Sequence, residues 1–79
     1  MRFSEAVQKY LVEGEKIRNT KFHEDGVYIT IDMEHSELTG GSKMVKYGPA
    51  LYKHCRDGLL MPYVFTAADI LSDDWEVVS

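Results

Sequence analysis

A chain of 79 residues with a formal charge of −4 is expected to fold as one small domain. At that size only roughly 60–65% of the unfolded surface is buried, so the core is thin. The single cysteine excludes an internal disulfide framework and suits a reducing cytosol. The absence of a basic cluster argues against binding along a DNA or RNA backbone. With no charged-then-apolar leader and no run of about 18 apolar residues, a cytoplasmic location is expected, without secretion or membrane insertion.

Phe3, Ala6, Val7, Tyr10 and Leu11 recur at the spacing of one helix face and predict an amphipathic helix of about three turns. Ser4 is the expected N-cap, Glu5 suits the positive end of the helix dipole, and Gly14 is the expected stop. Glu15 to Phe22 is more polar and is read as a short strand with Ile17 inward. His23-Glu24-Asp25-Gly26 is a turn. Val27, Ile29, Ile31 and Met33 then alternate with Tyr28, Thr30 and Asp32, which predicts a strand with the first set on the core.

Glu34 to Ser42, with Gly40-Gly41, is expected to be a long flexible loop, and Lys43 to Tyr47 a strand that Gly48-Pro49 interrupts. Ala50–Arg56 and Leu59–Phe65 flank Asp57-Gly58, the signal of a two-residue type I′ hairpin. Leu59 to Phe65 is apolar on both alternating faces, which predicts burial between layers or against a second subunit. Thr66 and Asp69 have the spacing of a capping box, with Asp in place of the usual Glu or Gln. Ala67, Ala68, Ile70 and Leu71 suit a short helix, which Ser72-Asp73-Asp74 ends by competing for backbone hydrogen bonds. A last strand carries Trp75. The predicted class is α+β: one domain, residues 1–79, with a small antiparallel sheet, an N-terminal helix and a short helix before the last strand.

Few of these residues form a constellation with a chemistry of its own. His54 and Cys55 are adjacent on a strand and point to opposite faces, so they do not converge on one atom. His23-Glu24-Asp25 is the density of any solvated turn, and His35 falls in the expected loop. Gly40-Gly41-Ser42 is followed by no helix whose N-terminus could complete a phosphate cradle. Asp73-Asp74 is read as helix termination. Neither an acid–base pair, a nucleophile elbow nor a metal-ligand spacing is present, so no enzyme, metal or cofactor is expected. Aromatics say more. Phe22, Tyr28, Tyr47, Tyr52, Tyr63, Phe65 and Trp75 fall at strand ends and turns as well as within strands. Trp75 and Phe65 are expected in the core, and the residue type suits stacking on planar ligands such as nucleobases.

The pattern Phe3-x-x-Ala6, Gly14-Glu15-Lys16-Ile17-x5-His23, Gly26-Val27-Tyr28, and then Asp57-Gly58-x3-Pro62-Tyr63-x2-Thr66-x2-Asp69-Ile70-Leu71-x-Asp73-Asp74-Trp75-Glu76-Val77-Val78 resembles the Thoeris anti-defence sponge family of the second type, small phage and prophage proteins. The ending is similar to that family's proline–tryptophan, serine, then Asp-Leu-Leu-Ala-x-Asp-Trp. Tyr63 stands at the family's tryptophan after proline, Thr66 at its serine, and Phe22 at an earlier tryptophan, one residue further from Arg18. Residues 34–48 have no counterpart in the pattern.

The resemblance implies a homo-oligomer, with a tetramer favoured. It also implies sequestration, without degradation, of a cyclic nucleotide-type immune signal, glycocyclic ADP-ribose or a cyclic oligonucleotide, in pockets between subunits. A sponge needs affinity rather than transition-state complementarity, so acid–base machinery is not required. Arg18, Asn19, the Thr66 hydroxyl and the N–H groups that open the 67–72 helix would serve a diphosphate, and His23 or Asp69 ribose hydroxyls. Asp69 is equally read as part of a helix cap, and for Thr66 capping comes first and ligand contact second. The ligand-binding candidates are Arg18, Asn19, Phe22, His23, Tyr28, Tyr63, Thr66 and Asp69. The alternative is a small phage-encoded interaction module that acts on a host protein and takes no small ligand.

Overall fold

The computed structural model describes residues 1–33, 35–39 and 43–79, with the backbone alone for 35–39 and 43–47. A helical segment opens the chain, α-helical over Phe3–Glu5 (α1) and π-helical over Ala6–Leu11. Strands β1 (Lys16–Asn19), β2 (Tyr28–Asp32), β3 (His35–Thr39), β4 (Lys43–Tyr47), β5 (Ala50–His54) and β6 (Leu60–Pro62) follow. Helix α2 (Ala67–Leu71) precedes the final strand β7 (Trp75–Val78). A five-stranded antiparallel sheet runs β6-β5-β2-β1-β7, and β3 pairs with β4 as a separate two-stranded sheet. The α+β expectation therefore holds.

The core lies between the N-terminal helical segment and one face of the sheet. Ala6, Leu11, Ile17, Ile29 and Trp75 are its buried members, with Phe3, Val7, Tyr10, Ile31, Leu51, Tyr63 and Phe65 packed around them. The π-turn explains how Ala6 and Leu11 are both fully buried. On an ordinary α-helix residues five apart lie about 140° apart around the axis, whereas an i to i−5 ladder swings them onto one side. Val12 N–H accordingly donates to the Val7 carbonyl and Glu15 N–H to the Tyr10 carbonyl. Gly14 ends the segment at φ +91°, a left-handed conformation that costs a side chain about 1–2 kcal/mol. The expected cap at Ser4 is not made: the first turn closes from Ala6 N–H to the Arg2 carbonyl, and Arg2 is the N-cap residue with no side-chain bond.

Other expectations shift by a residue or two, for local reasons. Residues 35–39 form a strand rather than a loop, and Gly40-Gly41-Ser42 lies outside the described residues. β2 stops at Asp32, so Met33 is exposed. The second hairpin turns over three residues rather than two. Gly58 N–H donates to the Cys55 carbonyl and Cys55 N–H to that of Leu59. Gly58, at φ +85°, follows the turn in the bulged manner of three-residue hairpin loops. The strand expected over Leu59–Phe65 is only Leu60–Pro62, and Leu59, Leu60 and Met61 are exposed in the single chain.

Each edge of the five-stranded sheet is blocked to further pairing at one position. Bonds from Tyr63 N–H to the Leu51 carbonyl and from Cys55 N–H to that of Leu59 fix the alternation of the β5–β6 ladder. That alternation turns the nitrogen of Pro62, which carries no hydrogen, toward the open edge. On the opposite edge the outward groups of Trp75 are taken by Met1. Trp75 N–H donates to the Met1 carbonyl at 3.2 Å, and the Met1 nitrogen donates to the carbonyls of Trp75, at 2.6 Å, and of Asp73, at 3.1 Å.

Candidate functional site

Thr66 opens α2 as its N-cap, and the capping box is complete. Its hydroxyl accepts from Asp69 N–H at 3.1 Å, and the Asp69 carboxylate accepts from Thr66 N–H at 2.9 Å. The same carboxylate oxygen takes the Tyr63 hydroxyl at 2.5 Å, while the Asp69 carbonyl accepts the Trp75 indole N–H at 2.8 Å. Asp69 is 3% exposed. Two donors on a buried carboxylate satisfy a group that would otherwise be costly to bury. Burial, followed by the hydrogen bond to Asp69 and its charge, holds the Tyr63 hydroxyl well above the usual phenol range.

Asn19 organises the turn from β1 to Phe22. Its side chain is fully buried, its Oδ1 accepts from Lys21 N–H (2.9 Å) and Phe22 N–H (3.3 Å), and its Nδ2 donates to the Ser72 hydroxyl (2.9 Å). This is the local bonding that makes asparagine a turn residue. Asn19 N–H donates to His23 Nδ1 at 3.0 Å, and His23 N–H returns a bond to the Asn19 carbonyl at 2.9 Å. Because Nδ1 is an acceptor, the neutral ring carries its proton on Nε2. The His23 ring stands edge-on to Trp75, centroids 5.7 Å apart, and to Tyr63 at 6.1 Å. Burial lowers its pKa; Lys53 and Arg18 act in the same direction and Asp69 against them.

A groove of about 530 Å³ is lined by Phe22, His23, Glu24, Val27, Lys53, Cys55, Arg56 and Asp57. Phe22 is 46% exposed. Among the described residues Lys53 forms no ion pair, and Arg56 reaches only Glu24, at 3.9 Å. A second groove, about 420 Å³, is lined by Arg18, Asp25, Gly26, Val27, Tyr28 and the end of β7. Here the cation is already committed. Arg18 Nε donates to Glu76 at 2.7 Å and Nη1 to Asp25 at 3.0 Å, and these bonds raise its pKa. Tyr28 is stacked on His54, centroids 4.5 Å apart and planes 15° apart, with Lys16 Nζ 4.9 Å from the ring centroid. His54 Nε2 and the Thr30 hydroxyl share a hydrogen bond at 2.8 Å.

The eight sequence candidates thus fall into three groups. Phe22 and His23 share the first groove. Arg18 and Tyr28 share the second. Asn19, Tyr63, Thr66 and Asp69 form the bonded frame beneath His23 and α2, and Tyr63 lines neither groove. Lys53 and Arg56, the cations of the first groove, were not among the candidates. The signal for Lys53 was available: it follows Leu51 at period two, a cation on the inward face of β5, opposite Ile29. The cations of the first groove, of which Lys53 is unpaired among the described residues, and its exposed aromatic suit an anionic, planar ligand. Among the described residues no three of His, Cys, Asp and Glu gather where they could hold a metal, and no helix is long and apolar enough to cross a membrane.

A comparison with curated proteins finds no match. A family model does match, over residues 1–78: the Tad2-like, or Thoeris anti-defense 2-like, domain. The match spans the Asn19 turn, both grooves and the capped α2, so the chain belongs to the Thoeris anti-defense 2-like domain family and its role is an anti-defence one.

Proposed function

We propose that the protein binds and sequesters a cyclic nucleotide-type immune signal, glycocyclic ADP-ribose or a cyclic oligonucleotide, without degrading it, so that the host effector is never activated. The observation that carries this reading is the first groove, where the half-exposed Phe22 stands with Lys53, Arg56 and His23. Stacking on a base is worth roughly 1–3 kcal/mol, and charge-assisted hydrogen bonds to phosphate are about twice as strong as neutral ones. The frame of Asn19, Asp69 and Tyr63 fixes the turn that carries Phe22 and His23, which lowers the ordering cost of binding. The working form in this reading is a homo-oligomer in the host cytoplasm, with a tetramer favoured.

The test is depletion followed by recovery. Protein is incubated with each candidate signal, the filtrate is assayed, and the retained fraction is denatured and chromatographed. Depletion with intact recovery supports sequestration. A linearised or hydrolysed product would make the protein an enzyme. The exposed Leu59, Leu60 and Met61 favour a second reading, a module that docks on a host protein, and no depletion by any candidate signal would select it.

A further inference from the structure

The lining of the first groove balances in charge, with Lys53 and Arg56 against Glu24 and Asp57. An anionic ligand must therefore rely on Lys53 alone or take over a cation that a carboxylate already attracts. The two arginines near the grooves differ in what they would give up. Arg18, in the second groove, is fixed by two carboxylates at 2.7 and 3.0 Å. Arg56 reaches only Glu24, at 3.9 Å, and both side chains are largely exposed. A pair so long and so exposed contributes little and parts at small cost. Asp57 does not compete for Arg56, since its Oδ1 accepts from Leu59 N–H at 2.9 Å within its own turn.

Arg56 is nonetheless placed. Val27 N–H donates to the Glu24 carbonyl at 3.1 Å and closes a turn in which Gly26 stands at φ +88°. A Cβ at Gly26 would meet Arg56 Cγ at 3.2 Å, Cδ at 3.9 Å and Nε at 4.0 Å, so the arginine stem lies over the bare side of this glycine. A stem rested on a fixed turn has less freedom to lose when its head is engaged. The guanidinium is also a planar fork that matches two oxygens of one phosphate, which the Lys53 ammonium is not.

We infer that Arg56 is the residue by which the first groove selects phosphate: its guanidinium exchanges Glu24 for two oxygens of a nucleotide phosphate, while Lys53 adds charge without a fork. The inference rests on the sequestering function proposed above. It assigns the phosphate contact to Arg56 in place of Arg18, which the resemblance implied.

The experiment is calorimetric titration with glycocyclic ADP-ribose and with a cyclic dinucleotide, on variants whose melting curves confirm folding. Wild type should bind at least one probe. Arg56→Ala should weaken that binding about ten- to a hundredfold, and Arg56→Lys should recover only part of it. Glu24→Gln should tighten binding, and by more in wild type than in the Arg56→Ala background, because the carboxylate competes through Arg56. Gly26→Ala and Gly14→Ala strain the backbone alike, but a side chain at Gly14 meets no atom within 4 Å, so only Gly26→Ala should lower affinity. A wild type that binds neither probe would overturn this inference together with the reading it rests on. Binding that survives Arg56→Ala, that Arg56→Lys restores in full, or that shows no coupling between Glu24→Gln and Arg56→Ala would overturn this inference alone.

Discussion

The hydroxyl of Tyr63 and the carboxylate of Asp69 meet at 2.5 Å inside the domain, and that bond ties the end of the β6 segment to the first turn of α2. Tyr63→Phe removes one of two donors from a buried carboxylate and should cost about 1.5–3 kcal/mol. Asp69→Ala also removes the box and leaves Thr66 N–H and the tyrosine hydroxyl unpaired, so its cost should be larger. Urea melts of both variants measure the difference. Since the folded Tyr63 holds its proton more tightly than the unfolded chain, this contribution is complete below pH about 10 and is lost as pH rises beyond it. Absorbance at alkaline pH should show one of the five tyrosines ionising late, or only with unfolding.

His23 works in the opposite sense. Its pKa is lowered in the fold, so on acidification the unfolded chain takes up the proton first. Stability is complete above about pH 6.5 and falls as pH drops through the folded value. Protonation also ends the bond from Asn19 N–H. His23→Gln should flatten the dependence of melting temperature on pH below neutrality, and nitrogen chemical shifts should place the wild-type proton on Nε2.

Phe22 is exposed enough that Phe22→Ala should leave the fold standing. It should weaken ligand binding about ten- to a hundredfold, read by calorimetry on a protein of unchanged melting temperature. Lys53→Glu should weaken binding as well, with a loss that shrinks as salt is raised. If both variants bind like wild type, the ligand lies elsewhere than in the first groove.

Leu11→Ala should cost about 2–5 kcal/mol, because a fully buried side chain leaves a cavity in a thin core. Gly14→Ala meets no atom within 4 Å, so its expected cost of about 1–2 kcal/mol is one of backbone conformation alone. Denaturant midpoints with unchanged slopes would confirm that both act on stability.

What was legible in the sequence is what short-range spacing encodes. Thr66 and Asp69 announce their capping box at three residues' separation, and the period of two from Val27 to Ile31 fixes which side of β2 is inward. The π-turn was not legible, since Phe3 to Leu11 fits an α-helical face equally well and only the packing of Ala6 against the sheet selects the wider coil. Nor was the orientation of α2, whose Asp69 is buried while Ile70 and Leu71 are exposed. The usual inference sends Ile70 and Leu71 inward, and it fails because Tyr63 and the cap give Asp69 enough partners to be the buried one. For the site, Phe22 and His23 were found through the resemblance. Lys53 was missed because a cation on an inward strand position becomes part of a groove only once the neighbouring turn is placed.

Pro62 has a consequence for what the molecule does when it is abundant. Sheets that add to one another edge by edge have no natural stopping point and grow into fibres. With the β6 edge lacking a donor at Pro62 and the Trp75 groups of the β7 edge held by Met1, that open-ended route is obstructed at one position on each edge of the five-stranded sheet. Pro62→Thr restores a donor to the β6 edge and should turn a solution that stays clear at high concentration into one that nucleates thioflavin-positive fibres.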